Sequence, residues 1–281
     1  MTDRVLLTGA TGFVGRQVLA TLARRGASVR VVVRDPRRLS SDARGQLTDV
    51  VETPDLFAER QEWWSDACAD VDVVVHAAWY AEPGLYVQSA RTMDCLVGTL
   101  ELAKGAVSAG VRRVVGIGTC AEYDSSNGML TTETPLRPMS PYAAAKAAAF
   151  LALSHWLPAQ EIELAWCRLF YMYGDGEDER RLVPYLRGRL AAGEVAELSH
   201  GNQVRDFMDV RDAGQMIADV ALGTVQGAVN VCSGVPVTVR ALAERIADEF
   251  GRRDLLRFGA RPAGEFDPPV VVGVPSLVPA S

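Results

Sequence analysis

Tyr142 and Lys146 stand four residues apart in PYAAAKAAAFLALSHW (141–156), which places them one above the other if the stretch is helical. A helix is what the stretch predicts: Ser140 can cap it, Pro141 suits its first position, and alanine fills it. A phenol beside an ammonium is a proton-transfer pair. Free tyrosine ionises near pH 10, and an adjacent positive charge favours the phenolate. Lysine is scarce, with Lys104 and Lys146 alone among many arginines. A compact ammonium fits where a broad guanidinium would not. A second chemical element is TGATGFVG (8–15), in which Gly9, Gly12 and Gly15 have GxxGxxG spacing. Gly9 would allow a tight turn, Gly12 a close approach to a pyrophosphate, and Gly15 the packing of helix on strand. The helix that follows would offer free N–H groups to the phosphates. A third is Thr119, four residues before Tyr123.

These groups need elements to hold them. Strand-like runs occur at 4–9, 28–35, 72–78 and 112–119, more weakly at 47–52, and again at 163–170. Amphipathic stretches at 15–27 and 92–110 lie between them. Apolar runs without strict alternation, separated by helices, predict a parallel sheet covered on both faces. The glycine loop then sits between the first strand and the first helix, the context that gives such a motif its meaning. Beyond Gly174 the texture changes. A polar loop (GDGEDERR) precedes a helix through VPYLRGRLAAG, and 205–222 reads as a turn and another helix. From Arg257 the chain is rich in proline and glycine.

Bulk properties exclude several classes. With 281 residues and 48% hydrophobic content the chain can bury a large core. A net charge of −6 argues against nucleic acid. No apolar run approaches the ~20 residues of a membrane span. The N-terminus runs straight into a strand pattern, so no signal peptide is expected. Cysteines 68, 95, 120, 167 and 232 are scattered, with no CxxC pair. They read as reduced, buried thiols of a cytoplasmic protein with no metal site. Cys120 in particular reads as a strand-end thiol, and His76 as a satisfied strand histidine.

The end of the second strand bears on the dinucleotide. An acidic residue there suits the ribose 2′-OH of NAD, and an arginine suits the 2′-phosphate of NADP. The sequence reads VVVRDPRR (31–38), so Arg34, with Arg37 and Arg38 behind it, favours NADP. Asp35 keeps NAD open.

TGATGFVG, then TCAEY (119–123), then YAAAK in order closely resemble the extended short-chain dehydrogenase/reductase family. More narrowly, the chain resembles the NAD-dependent epimerase/dehydratase group acting on nucleotide sugars. HAA (76–78), RLFYMYG (168–174), RLVP (181–184) and QVRDFMDV (203–210) fit too. The match runs from about residue 3 to 235. The resemblance implies that Tyr142 exchanges the proton at the sugar oxygen, that Lys146 supports it and holds the nicotinamide ribose, and that Thr119 hydrogen-bonds the reacting oxygen. It implies cofactor contacts from Gly9, Thr11, Gly12, Phe13, Val14, Gly15, Ala77 and Ala78. Substrate contacts would come from Trp79, Tyr80, Thr119, Tyr171 and Arg205, the last pairing with the diphosphate. An ordinary salt bridge to Asp206 or Asp209 is the plainer reading of Arg205.

Departures narrow the reaction. Dehydratases of this group follow the threonine with an Asp-Glu pair, where this chain has Cys120 and Ala121. Reductases that also epimerise carry cysteine at the place of Ala121. Cys95 and Tyr171 stand where the family usually has asparagine.

The expected fold is therefore a doubly wound α/β Rossmann domain (1–170 plus 205–230) with a substrate-binding lobe (171–204 plus 231–281). The leading expectation is an NADP-dependent reductase of a nucleotide-activated 4-keto-6-deoxysugar. The alternatives are an NAD-dependent nucleotide-sugar 4-epimerase and a non-catalytic dinucleotide-binding sensor. Long helices at about 88–110 and 141–157 present Gly98, Ala103 and alanines 143–149. In the family these helices pair across a dimer, so a homodimer is expected.

Overall fold

A computed structural model describes residues 3–45, 47–262 and 267–276. Every run expected as a strand forms one. In chain order the first half contains β1 (Arg4–Thr8), α1 (Phe13–Arg24), β2 (Ser28–Val33), α2 (Ser41–Arg44), β3 (Leu47–Glu52) and α3 (Gln61–Ala67). It continues with β4 (Val73–His76), α4 (Arg91–Ser108), β5 (Arg113–Thr119), β6 (Met129–Leu130), α5 (Pro141–Trp156) and β7 (Glu163–Leu169). The second half has β8 (Tyr171–Tyr173), α6 (Leu182–Ala191), β9 (Ala196–Leu198), β10 (Val204–Asp209) and α7 (Val210–Leu222). Then come β11 (Gly227–Val231), β12 (Pro236–Thr238), α8 (Val239–Phe250), β13 (Leu256–Phe258) and β14 (Val270–Gly273).

Seven strands make one sheet in the order β11-β7-β5-β4-β1-β2-β3, every pair parallel. Val5 and Leu7 of β1 face a core built with Val18 and Leu22 of α1 and Ile217 and Val220 of α7. Leu6 faces the other core, with Trp64 of α3, Leu102 and Ala106 of α4, and Leu153 of α5. Burial on both sides is why these strands read as unbroken apolar runs. Strand order reverses between β1 and β4. That switch point opens the crevice at the strands' carboxyl ends, where ligands of such sheets bind.

A second sheet, β12-β10-β14-β6 with β8 added on β10, and the pair β13-β9 build the remainder. Helices α6 and α8 close a small core around Leu186, Leu190 and Ile246.

The structure corrects several boundaries. The stretch 205–209, expected as a turn, is strand β10, and it pairs in the second sheet rather than with the dinucleotide-binding unit. Its buried Arg205 and Asp206 carry charge, so the run looked like a surface turn. Helix α1 begins at Phe13, two residues before the expected start, because Gly12 is already its extended N-cap. It stops at Arg24, short of Gly26 with φ of +76°. The expected lobe also covers 263–266 and 277–281, which lie outside the described residues.

Candidate active site

The glycine loop fits a dinucleotide by what it leaves out. Gly9 has φ of +74°, and a Cβ there would come within 2.7 Å of the Ala78 nitrogen. A Cβ on Gly15 would stand 2.0 Å from the Gly9 carbonyl oxygen, which already accepts from Gly12 N–H at 2.9 Å. Beside Gly12 the space is open but for that same oxygen, and no side chain caps α1. The first-turn N–H groups at Phe13, Val14 and Gly15 are thus left for an anion such as a pyrophosphate. Thr11 and Ala77 flank the loop, both half-buried.

His76 locks β4 to β1 behind this loop. The Thr99 hydroxyl donates to the Cys95 carbonyl at 2.7 Å, so it accepts from Nε2–H of His76 at 3.0 Å. Nδ1 then accepts from the Thr8 hydroxyl at 2.9 Å, whose oxygen takes the Ala78 N–H at 3.2 Å. Every polar atom in the chain of bonds has one role. Burial, with the Lys146 charge adding to it, holds the imidazole pKa at about 3. The ring is neutral and structural, as its sequence context suggested.

Helix α5 carries the proton-transfer pair. Ser140 caps it by accepting from Ala143 N–H at 3.2 Å, and the small buried residues Ala143, Ala145, Ala147 and Ala149 let it lie close against the sheet. Lys146 is buried. Its Nζ donates to the Ile117 carbonyl at 2.5 Å, and the Trp79 indole covers it at 3.7 Å. Burial draws the ammonium down to about pKa 7, against the raising effect of Glu122 and Cys95. Tyr142 stands edge-on to Trp79 and Tyr86, at centroid separations of 6.3 and 4.8 Å. Burial pushes its phenol well above the ordinary value, Tyr86 adds to this, and a hydrogen bond with Thr119 opposes it. Tyr142 is thus a protonated phenol, one helical turn from a lysine that holds its proton less firmly than a free one does.

Thr119 ends β5 with its hydroxyl at Tyr142 and also accepting from Ala121 N–H at 3.3 Å. It therefore does the capping job as well as facing the phenol. The Cys120 thiol behind it is buried and pushed up to about 12 by that burial, an inert packing group. Tyr80 N–H donates to the Cys95 sulfur at 3.4 Å, so a thiol takes a hydrogen bond where the family's asparagine stands.

Two expected contacts look different in three dimensions. Arg37 does not stand free: it forks onto Asp35 at 2.9 and 3.1 Å, and its own N–H caps the same carboxylate at 3.0 Å. Arg34 is exposed and has no partner among the described residues. Arg205 pairs with Asp267, not with Asp206 or Asp209, and its guanidinium lies 5.3 Å from the Tyr171 ring. Asp206 instead accepts from Ser233 N–H and Oγ, Gly234 N–H and Gly273 N–H, while Asp209 pairs with Arg211.

Sequence reasoning passed over Tyr86, the Ile117 carbonyl and the buried Glu122–Arg168 pair. Glu122 had a readable signal, since T-C-A-E is a capping box directly after a strand, and that box forms. Arg168 lies inside RLFYMYG, where only the tyrosine drew notice. Among the described residues no cluster suits a metal, and all five cysteines are unpaired.

A doubly wound sheet with an open glycine turn at its switch point and a Tyr-Lys helix beside it defines a nicotinamide-dependent dehydrogenase-like protein. The chain belongs to the NAD dependent epimerase/dehydratase family, whose model matches residues 5–232. It is 25% identical over 271 residues to the dTDP-6-deoxy-L-talose 4-dehydrogenase (NAD(+)) of Aggregatibacter actinomycetemcomitans, covering 96% of this chain and 98% of that protein. It is 30% identical over 266 residues to the dTDP-glucose 4,6-dehydratase of Streptomyces griseus, covering 89% and 80%. Among solved structures, MoeE5 in complex with UDP-glucuronic acid and NAD aligns with a TM-score of 0.79 and 27% identity, covering 98% of this chain and 90% of that one.

Proposed function

We propose that this protein is an NADP-dependent reductase of a nucleotide-activated 4-keto-6-deoxysugar, working in the cytoplasm as a homodimer. The observation that carries the reading is the protonated Tyr142 between Thr119 and Lys146, with no second acid–base pair after Thr119. A bound nicotinamide would supply the hydride to the keto carbon. Tyr142 gives its phenolic proton to the carbonyl oxygen, so the C=O becomes CH–OH. Thr119 donates to that oxygen and aims it, and the Lys146 ammonium steadies the phenolate left on Tyr142. Elimination of water would need an acid and a base next to Thr119, where the chain has a buried thiol and Ala121. Glu122, three residues on, is fully buried and bonded. The likeness to a 6-deoxytalose 4-dehydrogenase supports chemistry at C4 of a 6-deoxysugar.

Arg34 supports NADP, because Arg37 holds Asp35 back from the ribose. Trp79, Tyr80 and Tyr171 would line the sugar side, and Arg205 would meet the diphosphate by sharing or leaving Asp267. A second reading, the 4-epimerase, is favoured by a 28% identity over 278 residues to the UDP-glucose 4-epimerase of Mycolicibacterium smegmatis and by the NAD bound in the MoeE5 complex.

The test is to denature purified protein, assay for released dinucleotide, and then titrate the chain with NADPH and NADH by fluorescence. Nothing released and tighter NADPH binding is the expected result. Retained NAD would move the epimerase to first place. In the same assays Tyr142→Phe should lose about 10²–10⁴-fold in turnover with cofactor binding unchanged. A variant with full turnover sinks the catalytic reading.

A further inference from the structure

Glu122 has no part in the chemistry above, yet it is among the most completely engaged side chains in the molecule. Its exposure is 0%. Oε1 accepts from Thr119 N–H at 2.8 Å and Trp166 Nε1–H at 3.1 Å. Oε2 accepts from Arg168 Nε–H at 2.7 Å. The carboxylate has room because residue 118 is glycine, where a Cβ would stand 2.5 Å from Oε1 and 2.2 Å from Trp166 Nε1. Arg168 lies between the Tyr123 and Phe150 rings at 4.5 and 4.4 Å and donates to the Tyr123 hydroxyl at 3.0 Å. That hydroxyl donates in turn to Asn230 at 2.7 Å.

This network stands directly under the proton-transfer pair. Lys146 bonds the carbonyl of Ile117, and Glu122 bonds the N–H of Thr119, two residues along the same strand. The titratable groups bearing on Lys146 come from three elements: Glu122 after β5, Cys95 on α4 and His76 on β4, with the Trp79 ring above. His76 is neutral. Burial raises the Cys95 thiol and the Tyr142 phenol, so both keep their protons. Glu122, itself paired with Arg168, is therefore the carboxylate that bears on Lys146, and burial without such a partner disfavours an ammonium.

We propose that Glu122 is a positioning residue of the site, its Oε1 fixing Thr119 while its buried carboxylate supports Lys146. One carboxylate thereby sets the hydroxyl and the cation together. The proposal rests on the catalytic reading of Thr119, Tyr142 and Lys146, but its effect on Lys146 is measurable without turnover.

The chain offers a direct probe, having only two lysines. Full-length protein labelled with ¹³Cε-lysine should give two lysine resonances by NMR, with Lys104→Arg identifying the exposed one. Glu122→Gln keeps an acceptor for Thr119 N–H and removes the charge. The Lys146 midpoint should then fall by about one pH unit, a tenfold loss of proton affinity, and Lys104 should not move. If Glu122→Gln fails to fold with Arg168 left unpaired, Glu122→Gln/Arg168→Met removes both charges of the pair, and its Lys146 midpoint should lie below that of Arg168→Met alone. A folded variant whose Lys146 midpoint stays put, even with a lower Tm, overturns the proposal and leaves Glu122 a packing residue. An active Tyr142→Phe would sink the catalytic reading without touching the midpoint, so the two failures are distinct.

Discussion

At the scale of single residues, the cofactor choice turns on a pair two positions apart. Asp35 is the residue that could serve a ribose 2′-OH, and Arg37 occupies both of its oxygens. The guanidinium holds the carboxyl below its usual range, so it stays charged and tied. Removing Arg37 leaves a free carboxylate beside the site of a 2′-phosphate. Arg37→Ala should lower the preference for NADPH over NADH by roughly three- to tenfold, as judged from the modest strength of exposed pairs. Asp35→Asn in the same background should restore it. An equal loss with and without Asp35 would mean that Arg37 meets the phosphate itself. The placing of Tyr142 and Lys146 on one helix and of the glycines in a strand–helix turn was legible from their spacing and context. The partner of Arg37 was not, because it depends on the short turn at Pro36–Arg38, which brings i and i+2 side chains together.

At the scale of elements, β1, the glycine turn and α1 act as one unit. The approach of Gly15 to Gly9 sets how closely the helix N-terminus meets the strand. Gly15→Ala places a methyl group on a carbonyl oxygen that cannot move without moving Gly12. Overpacking of this kind costs about 1–3 kcal/mol, so Tm should fall and dinucleotide binding weaken by at least tenfold. Normal affinity in calorimetry would show that the contact is not needed. The seven-stranded sheet was legible from its apolar runs. Strand β10 was not, since its stability comes from particular partners: Asp206 receives four donors from the 233–234 turn and strand β14, and no local pattern announces them. Helix α5 was legible from its cap and its alanines.

At the scale of the whole molecule, the proposed dimer would have to use only some of the residues expected for it. Gly98 packs against Phe57, where a Cβ would lie 2.6 Å from its Cα, and Ala103 is buried in the α4 core, so neither is offered to a partner. The outward faces of α4 and α5 instead expose Met93, Val97 and Leu151, around a groove lined by Leu96, Pro141, Ala144 and Ala148. Val97→Glu with Leu151→Glu should give a folded monomer by light scattering, and a wild-type monomer at micromolar concentration would end the dimer proposal. The last strand has a different consequence. β14 sits between β10 and β6, supplies Gly273 N–H to Asp206, and is followed by Val274 and Ser276, which bond Asn230. All seven strands of the large sheet are present once Val231 is made, although Asn230 of β11 waits for Val274 and Ser276, whereas the small sheet lacks its strand β14 until residue 273. A nascent chain of this protein thus carries an assembled parallel sheet beside an open β-edge while the forty or so residues between Val231 and Gly273 are being made.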